Sequence, residues 1–297
     1  MTLSETQVAA PPSGATPAQP LGPESLTWKM GLPRTALLVA GRALFLQTMH
    51  PVVGAGVRDF STFRTDPWGR LDRTLESLQI QMFGGARSID EAKRLRELHK
   101  SIRGIGFDGE HYSALNPEAY AWVHLSNFDT ALCFDRWFIR AHDRPAQEKL
   151  YAEWRQVGRV LGIRDEHLPA DIAGLRAYVD DVVEHTLRDN EMARELLQSL
   201  RLDDVSAPPL PYVPEPLWKV LRPLSRQLLH DTTVGTLPSR LRQKLGLAWS
   251  SIDRRRLQGI AIAVRAASLP VPDRLMQYPL AYRAQSAHRA AARVSAP

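Results

Sequence analysis

The chain has 297 residues, and its hydrophobic content of 44% is enough to bury a sizeable core. A single cysteine, Cys133, excludes both a disulfide framework and a cysteine-rich metal site. The formal charge of +6 is compatible with nucleic acid or an anionic membrane, but no aromatic residues are interleaved among the basic segments, so we predict no nucleic-acid partner.

The two ends of the chain differ in composition from its middle. Residues 1–29 are rich in Pro, Ala and Ser, which predicts a disordered leader, and they lack the basic start and apolar run of a secretion signal. Together with the single cysteine, this predicts a cytoplasmic protein. Residues 285–297 are predicted to be a disordered basic tail, and residues 30–284 to be one helical domain.

Apolar residues recur with helical spacing from Pro33 to about Tyr282, and no alternating segment is long enough to build a sheet. The pattern therefore predicts an all-α fold, a single large multi-helix domain. The predicted helices are, in chain order, 34–49, 67–83, 90–103, 116–140, 145–161, 170–188, 190–201, 214–230, 238–245, 250–268 and 272–284.

Local signals mark several helix ends. Asp66 before Pro67 and Asn116 before Pro117 are N-cap patterns, and Ser88 with Glu91 resembles a capping box. Pro51 is predicted to end the helix that carries His50. The glycines of RGIGFDGE have GxGxxG spacing but follow a helix, so they predict a turn with a C-cap at Gly104. The proline-rich segment 205–218 is predicted to separate a smaller C-terminal helical part from the main body.

Many catalytic motifs are missing from the sequence, namely HExxH, CxxC, the Walker-type GxxxxGK[ST] and GxSxG. What remains is a set of histidines on apolar helices: His50 in ALFLQTMHP, His99 in LRELHKSIRG and His124 in EAYAWVHLSNF. Each is a candidate ligand or catalytic group. The alternative for each is a hydrogen-bonded histidine of the core.

Arg70, Arg73 and Thr74 stand at i, i+3 and i+4, so they share one face of a predicted helix beside an apolar side. Two guanidinium groups next to an apolar surface can clamp a carboxylate. The alternative is a solvated face on which these arginines pair with neighbouring acids, of which Asp66, Asp72 and Glu76 are the nearest.

An ordered set of segments resembles the catalytic domain shared by the latex-clearing rubber oxygenases and the MpaB-type oxygenases. The segments are QTMHPVVGAGVRDFSTFRTDPWGRLDRT, LHKSIRG, YSALNPEAYAWVH, EWRQVGRVLGI and LPSRLRQKLGLAWS. The likeness runs from about residue 33 to 284. It implies an all-helical fold with a buried haem b pocket.

The resemblance also implies roles for individual residues. His99 matches the family's proximal iron ligand, and Arg70 and Thr74 match a pair on the distal side of the haem. Arg73 stands where the rubber oxygenases have a lysine able to reach the iron. His124 matches a histidine that supports the haem pocket without binding the metal.

In the rubber oxygenases an acid proposed as catalytic base stands upstream of the position of Arg70. Here GAGVRDFSTF contains no glutamate, and Asp59 is the nearest acid.

The sequence leaves three functional hypotheses. The first is a haem b-dependent oxygenase that uses dioxygen on an apolar small molecule, such as a lipid or an isoprenoid-like alkene. The second is a non-catalytic haem-binding or sensing protein of the same fold, and the third is a metal-free protein whose histidines belong to the core.

One basic, amphipathic segment, residues 250–272, raises the question of partners. Such helices can lie on an anionic membrane or against a second subunit, so a peripheral membrane contact and a homodimer are both hypotheses. The alternative is that the segment packs against the protein's own core.

Overall fold

The computed structural model describes residues 18–203, 205–208 and 213–294. Within these ranges the chain is mostly helical with little strand, which confirms the predicted all-α class. The α-helices are α1 Leu26–Met30, α2 Ala40–Thr48, α3 Pro51–Phe60, α4 Pro67–Phe83, α5 Arg87–Lys100, α6 Pro117–Phe138, α7 Arg144–Val160, α8 Ile172–Asp181, α9 Glu191–Ser199, α10 Glu215–Thr236, α11 Ser239–Lys244, α12 Ser251–Ser268, α13 Asp273–Met276 and α14 Pro279–Val294. Short 3₁₀ segments cover Arg34–Val39 and Asp165–His167, and a π-helical turn covers Val182–Thr186.

The helix α6 lies at the centre of the fold, where it packs against α2, α7, α8 and α12. Trp122 and Leu125 are fully buried on it. The Trp122 indole Nε1 donates to the Leu46 carbonyl of α2 at 2.8 Å, so even this large apolar side chain satisfies its polar atom inside the core. This helix therefore fixes the positions of its neighbours.

The chain turns sharply between α2 and α3. The sequence predicts that Pro51 ends a helix, but in the structure Pro51 takes the first position of α3, a helix that the sequence pattern missed. Proline fits there because the first helical residues donate no intrahelical hydrogen bond. The segment Arg34–Thr48 and α3 meet at 107°, with the buried His50 at the corner.

The apolar segments do not form a single long span. Among the described residues, no one helix is both long enough and apolar enough to cross a membrane. The bent pair Arg34–Thr48 and Pro51–Phe60 meets that test of length and composition only when its two parts are taken together.

A small hairpin, β1 Arg103–Ile105 antiparallel to β2 His111–Ser113, follows α5. It is formed by the RGIGFDGE glycines, so the predicted helix C-cap at Gly104 is wrong: α5 ends at Lys100, and Gly104 pairs with Tyr112. The Tyr112 hydroxyl donates to Asp59 at 2.7 Å, which attaches the hairpin to α3.

Two of the predicted N-caps are confirmed and the capping box is wrong. Asp66 accepts from the Gly69 backbone N–H, and Asn116 from that of Ala119. Ser88 instead lies inside α5, because this helix begins one residue earlier, and Glu91 accepts hydrogen bonds from Ser77 and Arg94.

Each predicted disordered end contains helix in its described part, since α1 begins at Leu26 and α14 continues to Val294, whereas residues 1–17 and 295–297 lie outside the described part. In the N-terminal segment, the buried Trp28 donates to the Met82 carbonyl at 2.9 Å. At the other end α14 continues to Val294, beyond the predicted boundary at 284, because its alanines favour helix and allow close packing on α1. Gln285 donates to the Met30 carbonyl at 2.9 Å and joins the two ends.

The predicted break at 205–218 does not divide the described helices into two bodies. Residues 204 and 209–212 lie outside the described part, and α10 begins at Glu215, inside the predicted break. Leu241 and Ala281, from the C-terminal helices, are fully buried in the same core as Trp122. The C-terminal helices therefore complete the main core.

A buried arginine links three of the core helices. Arg42 of α2 donates to the Asp129 carboxylate of α6 and to the Thr236 carbonyl at the end of α10. The arginine side chain is 7% exposed and the aspartate side chain 23% exposed. Each charge is therefore balanced mainly by the other and only partly by water. Removal of one partner from such a pair leaves an uncompensated charge in the core.

We therefore expect Arg42→Met to lower the free energy of unfolding by about 3 kcal/mol. Urea unfolding followed by far-UV circular dichroism measures this change. Arg265→Met, on the exposed face of α12, is the matched control and should change stability by no more than about 0.5 kcal/mol. Equal losses in the two variants would contradict a structural role for the Arg42 pair.

Candidate functional site

The helix α4 carries the predicted polar cluster, and its start is defined by Asp66 and Pro67. Arg70 Nη1 donates to the Thr74 hydroxyl one turn later, and that hydroxyl donates to the Arg70 carbonyl at 2.8 Å. Thr74 therefore uses both its acceptor and its donor to hold the Arg70 side chain along the helix.

Arg73 does not join this pair. Its guanidinium extends back to the Asp66 carboxylate and to the Thr62 hydroxyl, each at 3.0 Å, and its side chain is 57% exposed. Such a surface ion pair is the solvated alternative that the sequence left open for the arginines. The structure thus brings together Arg70 and Thr74, whereas Arg73 stabilises the start of α4.

Arg70 is a half-buried cation with no carboxylate partner among the described residues. Burial, and then the positive charge of Arg73, lower its pKa from the usual value, although a guanidinium remains protonated in proteins. A desolvated charge without a counter-ion is an attractive site for an anionic group.

His99 lies in the last turn of α5, which packs against α4. Its ring Nδ1 is 2.6 Å from the Leu95 carbonyl oxygen, which can only accept, so Nδ1 carries the proton. Burial is the main cause that lowers the pKa of His99; the hydrogen bond to the Leu95 carbonyl opposes it, and the charges of Arg70 and Arg94 lower the pKa further. The ring is therefore held neutral, with its lone pair on Nε2.

Three helices converge on His99. The Tyr120 ring of α6 meets the imidazole edge-on, with ring centroids 5.7 Å apart and an interplanar angle of 85°. On the α4 side, the positive charge of Arg70 acts on the same imidazole. Nε2 of His99 forms no hydrogen bond within the part of the chain that the structure describes. The site thus combines an oriented neutral imidazole with an adjacent fixed cation.

His124 lies one turn after Tyr120 on α6 and is buried against α7. Its Nε2 donates to the Trp154 carbonyl at 2.9 Å, and the Trp154 indole donates to the His124 carbonyl at 3.1 Å. The two rings stack with centroids 4.8 Å apart. An added Cβ at Gly158 would lie 2.9 Å from His124 Nε2, so this position on α7 leaves room for the imidazole. His124 is thereby committed to joining α6 to α7.

His50 occupies the N-cap position of α3, makes no capping hydrogen bond with its side chain, and is buried. Its Nδ1 has no hydrogen-bond partner among the described residues, and burial lowers its pKa to about 4. His50 is thus a neutral histidine at the corner between α2 and α3, and it takes no part in the interactions described for His99.

Asp59 is the acid nearest to the position of the catalytic base in the resembling family, and its carboxylate is fully engaged. It accepts from Arg58 at 2.6 Å and from the Tyr112 hydroxyl at 2.7 Å. The Arg58 hydrogen bond is the main cause that lowers the pKa of Asp59. A carboxylate of lowered pKa with two protein donors is a structural anchor and a weak base.

Two surface cavities flank the hairpin. The first has a volume of about 670 Å³, and Lys100, the residue after His99, is part of its lining. The lining residues are Lys100, Arg103, Gly104, His111, Tyr112, Ser113 and Leu115. The second, of about 610 Å³, lies between Phe107 and α9. Across the described ranges no three His, Cys, Asp or Glu side chains form a group that could hold a metal ion.

Sequence reasoning missed the groups that orient the candidate residues. The Leu95 carbonyl binds His99, Tyr120 contacts its ring, and Trp154 binds His124. The one signal in the sequence was a spacing, since Leu95 precedes His99 by one helical turn; the contacts of Tyr120 with His99 and of Trp154 with His124 join different helices and have no local signal.

Comparison with known proteins agrees with the resemblance stated above. Residues 28–266 match the family described as "ER-bound oxygenase mpaB/B'/Rubber oxygenase, catalytic domain". A protein of Mycobacterium tuberculosis and one of Mycobacterium bovis are each 22% identical over 250 residues, which span 80% of this chain and 91% of theirs, and both are named only as uncharacterized proteins. No solved structure matches the chain.

The buried His124 predicts a pH dependence of stability. Burial lowers its pKa from 6.5 to about 4, so between these pH values the unfolded chain binds a proton that the folded chain does not. Stability should therefore fall as the pH drops from 6.5 towards 4, and His124 should contribute about 3 kcal/mol of the loss.

His124→Gln keeps a donor for the Trp154 carbonyl but does not titrate, so we expect it to lose less stability on acidification than the wild type. Urea unfolding at pH 7 and at about pH 4 measures the difference. His111→Gln, at an exposed position of the hairpin, is the control. The same acid sensitivity in His124→Gln and in the wild type would contradict the assignment.

Proposed function

The chain belongs to the ER-bound oxygenase mpaB/B' and rubber oxygenase catalytic-domain family, and from this membership we propose that it is a haem b-dependent oxygenase of an apolar small molecule. The substrate class would be a lipid or an isoprenoid-like alkene, and dioxygen the second substrate. The observation that carries the proposal is the state of His99, a neutral imidazole whose Nδ1 is bound by the Leu95 carbonyl.

A histidine that would hold haem iron needs to be in this state. A metal-binding imidazole donates its other ring N–H to a carbonyl or carboxylate, which fixes the tautomer and increases ligand basicity. The porphyrin ring of a bound haem would itself supply four nitrogen ligands, so one such imidazole from the protein would be enough to hold the iron. His99 Nε2, free of hydrogen bonds to the described residues, would hold the iron.

Arg70 fits the anionic part of the same cofactor or substrate. As a half-buried guanidinium without a carboxylate partner in the described ranges, it would pair with a haem propionate or stabilise negative charge that develops near it. Thr74 is a positioning residue, because both of its hydrogen bonds go to Arg70. We assign Arg73 to the stability of α4 and not to catalysis, because it is paired with Asp66 at the surface.

When bound, haem would supply the activation of dioxygen. The residues of the chain would orient the cofactor through His99, supply positive charge through Arg70 and exclude water through the surrounding helices. His124 would support the site indirectly, because its hydrogen bonds with Trp154 hold α6, the helix of Tyr120, against α7. The apolar substrate class is proposed from the family, whose description includes a rubber oxygenase.

The engaged state of Asp59 favours one alternative, a non-catalytic haem-binding or sensing protein. A catalytic base would need a free carboxylate near the substrate, whereas Asp59 accepts from both Arg58 and Tyr112. Such a protein would bind haem through His99 in the same way. The two functions differ in turnover and not in cofactor binding.

The first test is the visible absorption spectrum of the purified protein after incubation with hemin. We expect a Soret band that is lost or shifted in His99→Ala and kept in the matched control His111→Ala, because His99 has one ring nitrogen held by a carbonyl, whereas His111 lies at an exposed position of the hairpin. A wild-type protein that remains colourless, or an unchanged band in His99→Ala, would contradict the proposed cofactor site.

Oxygen uptake separates the two candidate functions. The haem-loaded protein should consume dioxygen steadily when an unsaturated lipid and a reductant are supplied. Haem binding without such uptake, across a series of unsaturated lipids, would favour the sensing protein over the oxygenase.

A further inference from the structure

The N-terminal half of α10, residues 215–226, exposes a continuous apolar stripe. Leu217, Val220, Leu221 and Leu224 are 41%, 74%, 36% and 70% exposed. Their spacing of i, i+3, i+4 and i+7 places all four on one face of the helix. A single exposed leucine needs no explanation, but four neighbours on one helical face indicate a surface that contacts another apolar phase.

This stripe is held in place by the rest of its helix. Trp218, on a different side of α10, is buried, and its indole donates to the Val205 carbonyl at 2.9 Å. In the second half of α10 the three residues Asp231, Thr232 and Thr233 are fully buried. The stripe is therefore the outer face of an anchored helix.

The charges of this half of α10 complement an anionic surface. Three cations, Lys219, Arg222 and Arg226, stand against one acid, Glu215. Arg222 lies 3.7 Å from Glu215 and donates to a backbone carbonyl, whereas Lys219 and Arg226 form no ion pair with any described residue. By helical spacing these cations lie on the side away from the stripe, as in helices that lie in the plane of a membrane interface.

We propose that this half of α10 docks the protein on an anionic lipid membrane. The apolar stripe would enter the boundary between headgroups and acyl chains, and the cations would contact acidic headgroups. A second protein chain is the less suitable occupant, because an interface core favours few charges, whereas three cations share this short stretch of helix with the stripe.

The position of this surface differs from the membrane segment that the sequence suggested. Within residues 250–272, Leu257 and Ala261 of α12 are buried in the core, so the inner side of this helix already has a partner. The inference does not rest on haem binding. It goes beyond the proposed function because it states where an apolar substrate would come from. Molecules dissolved in the bilayer could reach a protein that is bound to the bilayer surface.

Vesicle flotation tests the proposal on the whole protein. Vesicles of phosphatidylcholine alone are compared with vesicles that also contain phosphatidylserine. We expect the wild type to float with the anionic vesicles, and added salt to weaken the binding. The double variant Val220→Glu/Leu224→Glu should reduce the bound fraction by about tenfold or more, because both side chains would have to be buried in the bilayer.

The control is Ile262→Glu/Leu269→Glu, which adds the same charge at two exposed apolar positions on and after α12 and should change binding by less than about twofold. Both variants alter exposed residues, and far-UV circular dichroism verifies that each is folded. Failure of the wild type to bind anionic vesicles, or equal losses in both variants, would overturn the proposal. So would a wild-type dimer, seen by light scattering, that becomes a monomer in Val220→Glu/Leu224→Glu, because the stripe would then be a protein interface.

Discussion

The structure depends on the burial of α6, a helix surrounded by others on most of its sides. A buried helix must find partners for its polar side chains inside the protein. Trp122 therefore binds the Leu46 carbonyl of α2, His124 binds the Trp154 carbonyl of α7, and Asp129 pairs with Arg42. Each of these bonds sets the position of one neighbouring helix, so the polar atoms of α6 determine how the apolar surfaces pack.

The candidate site follows from the same arrangement. Because His124 fixes α6 to α7, Tyr120 one turn earlier is presented to α5, where it contacts the His99 ring. The packing of α4 on α5 brings the charge of Arg70 to the same imidazole. The neutral state of His99 thus has two sources, burial between helices and a nearby cation, and both act in the same direction.

The sequence predicted what local patterns determine and missed what distant contacts decide. The Asp66 cap and the start of α4 depend on adjacent residues, and they were predicted correctly. A proline can either follow the end of one helix or begin the next, so the sequence around Pro51 did not reveal that α3 begins there. The end of α14 depends on its packing against α1. Gln285 of α14 donates to Met30 of α1, more than 200 positions earlier in the chain, so no local signal predicts this contact. Arg73 has three acids nearby in the sequence, and only the geometry shows that it binds Asp66 and Thr62.

The central claim is that His99 is held neutral, with its proton on Nδ1 and its lone pair on Nε2. Two-dimensional ¹H–¹⁵N NMR of the histidine rings in the haem-free protein, assigned by comparison with His99→Ala, measures this state directly. The structure predicts that at pH 7 His99 is a neutral ring protonated at Nδ1, bound to the Leu95 carbonyl. A ring protonated at Nε2, or at both nitrogens, would contradict the account of the site.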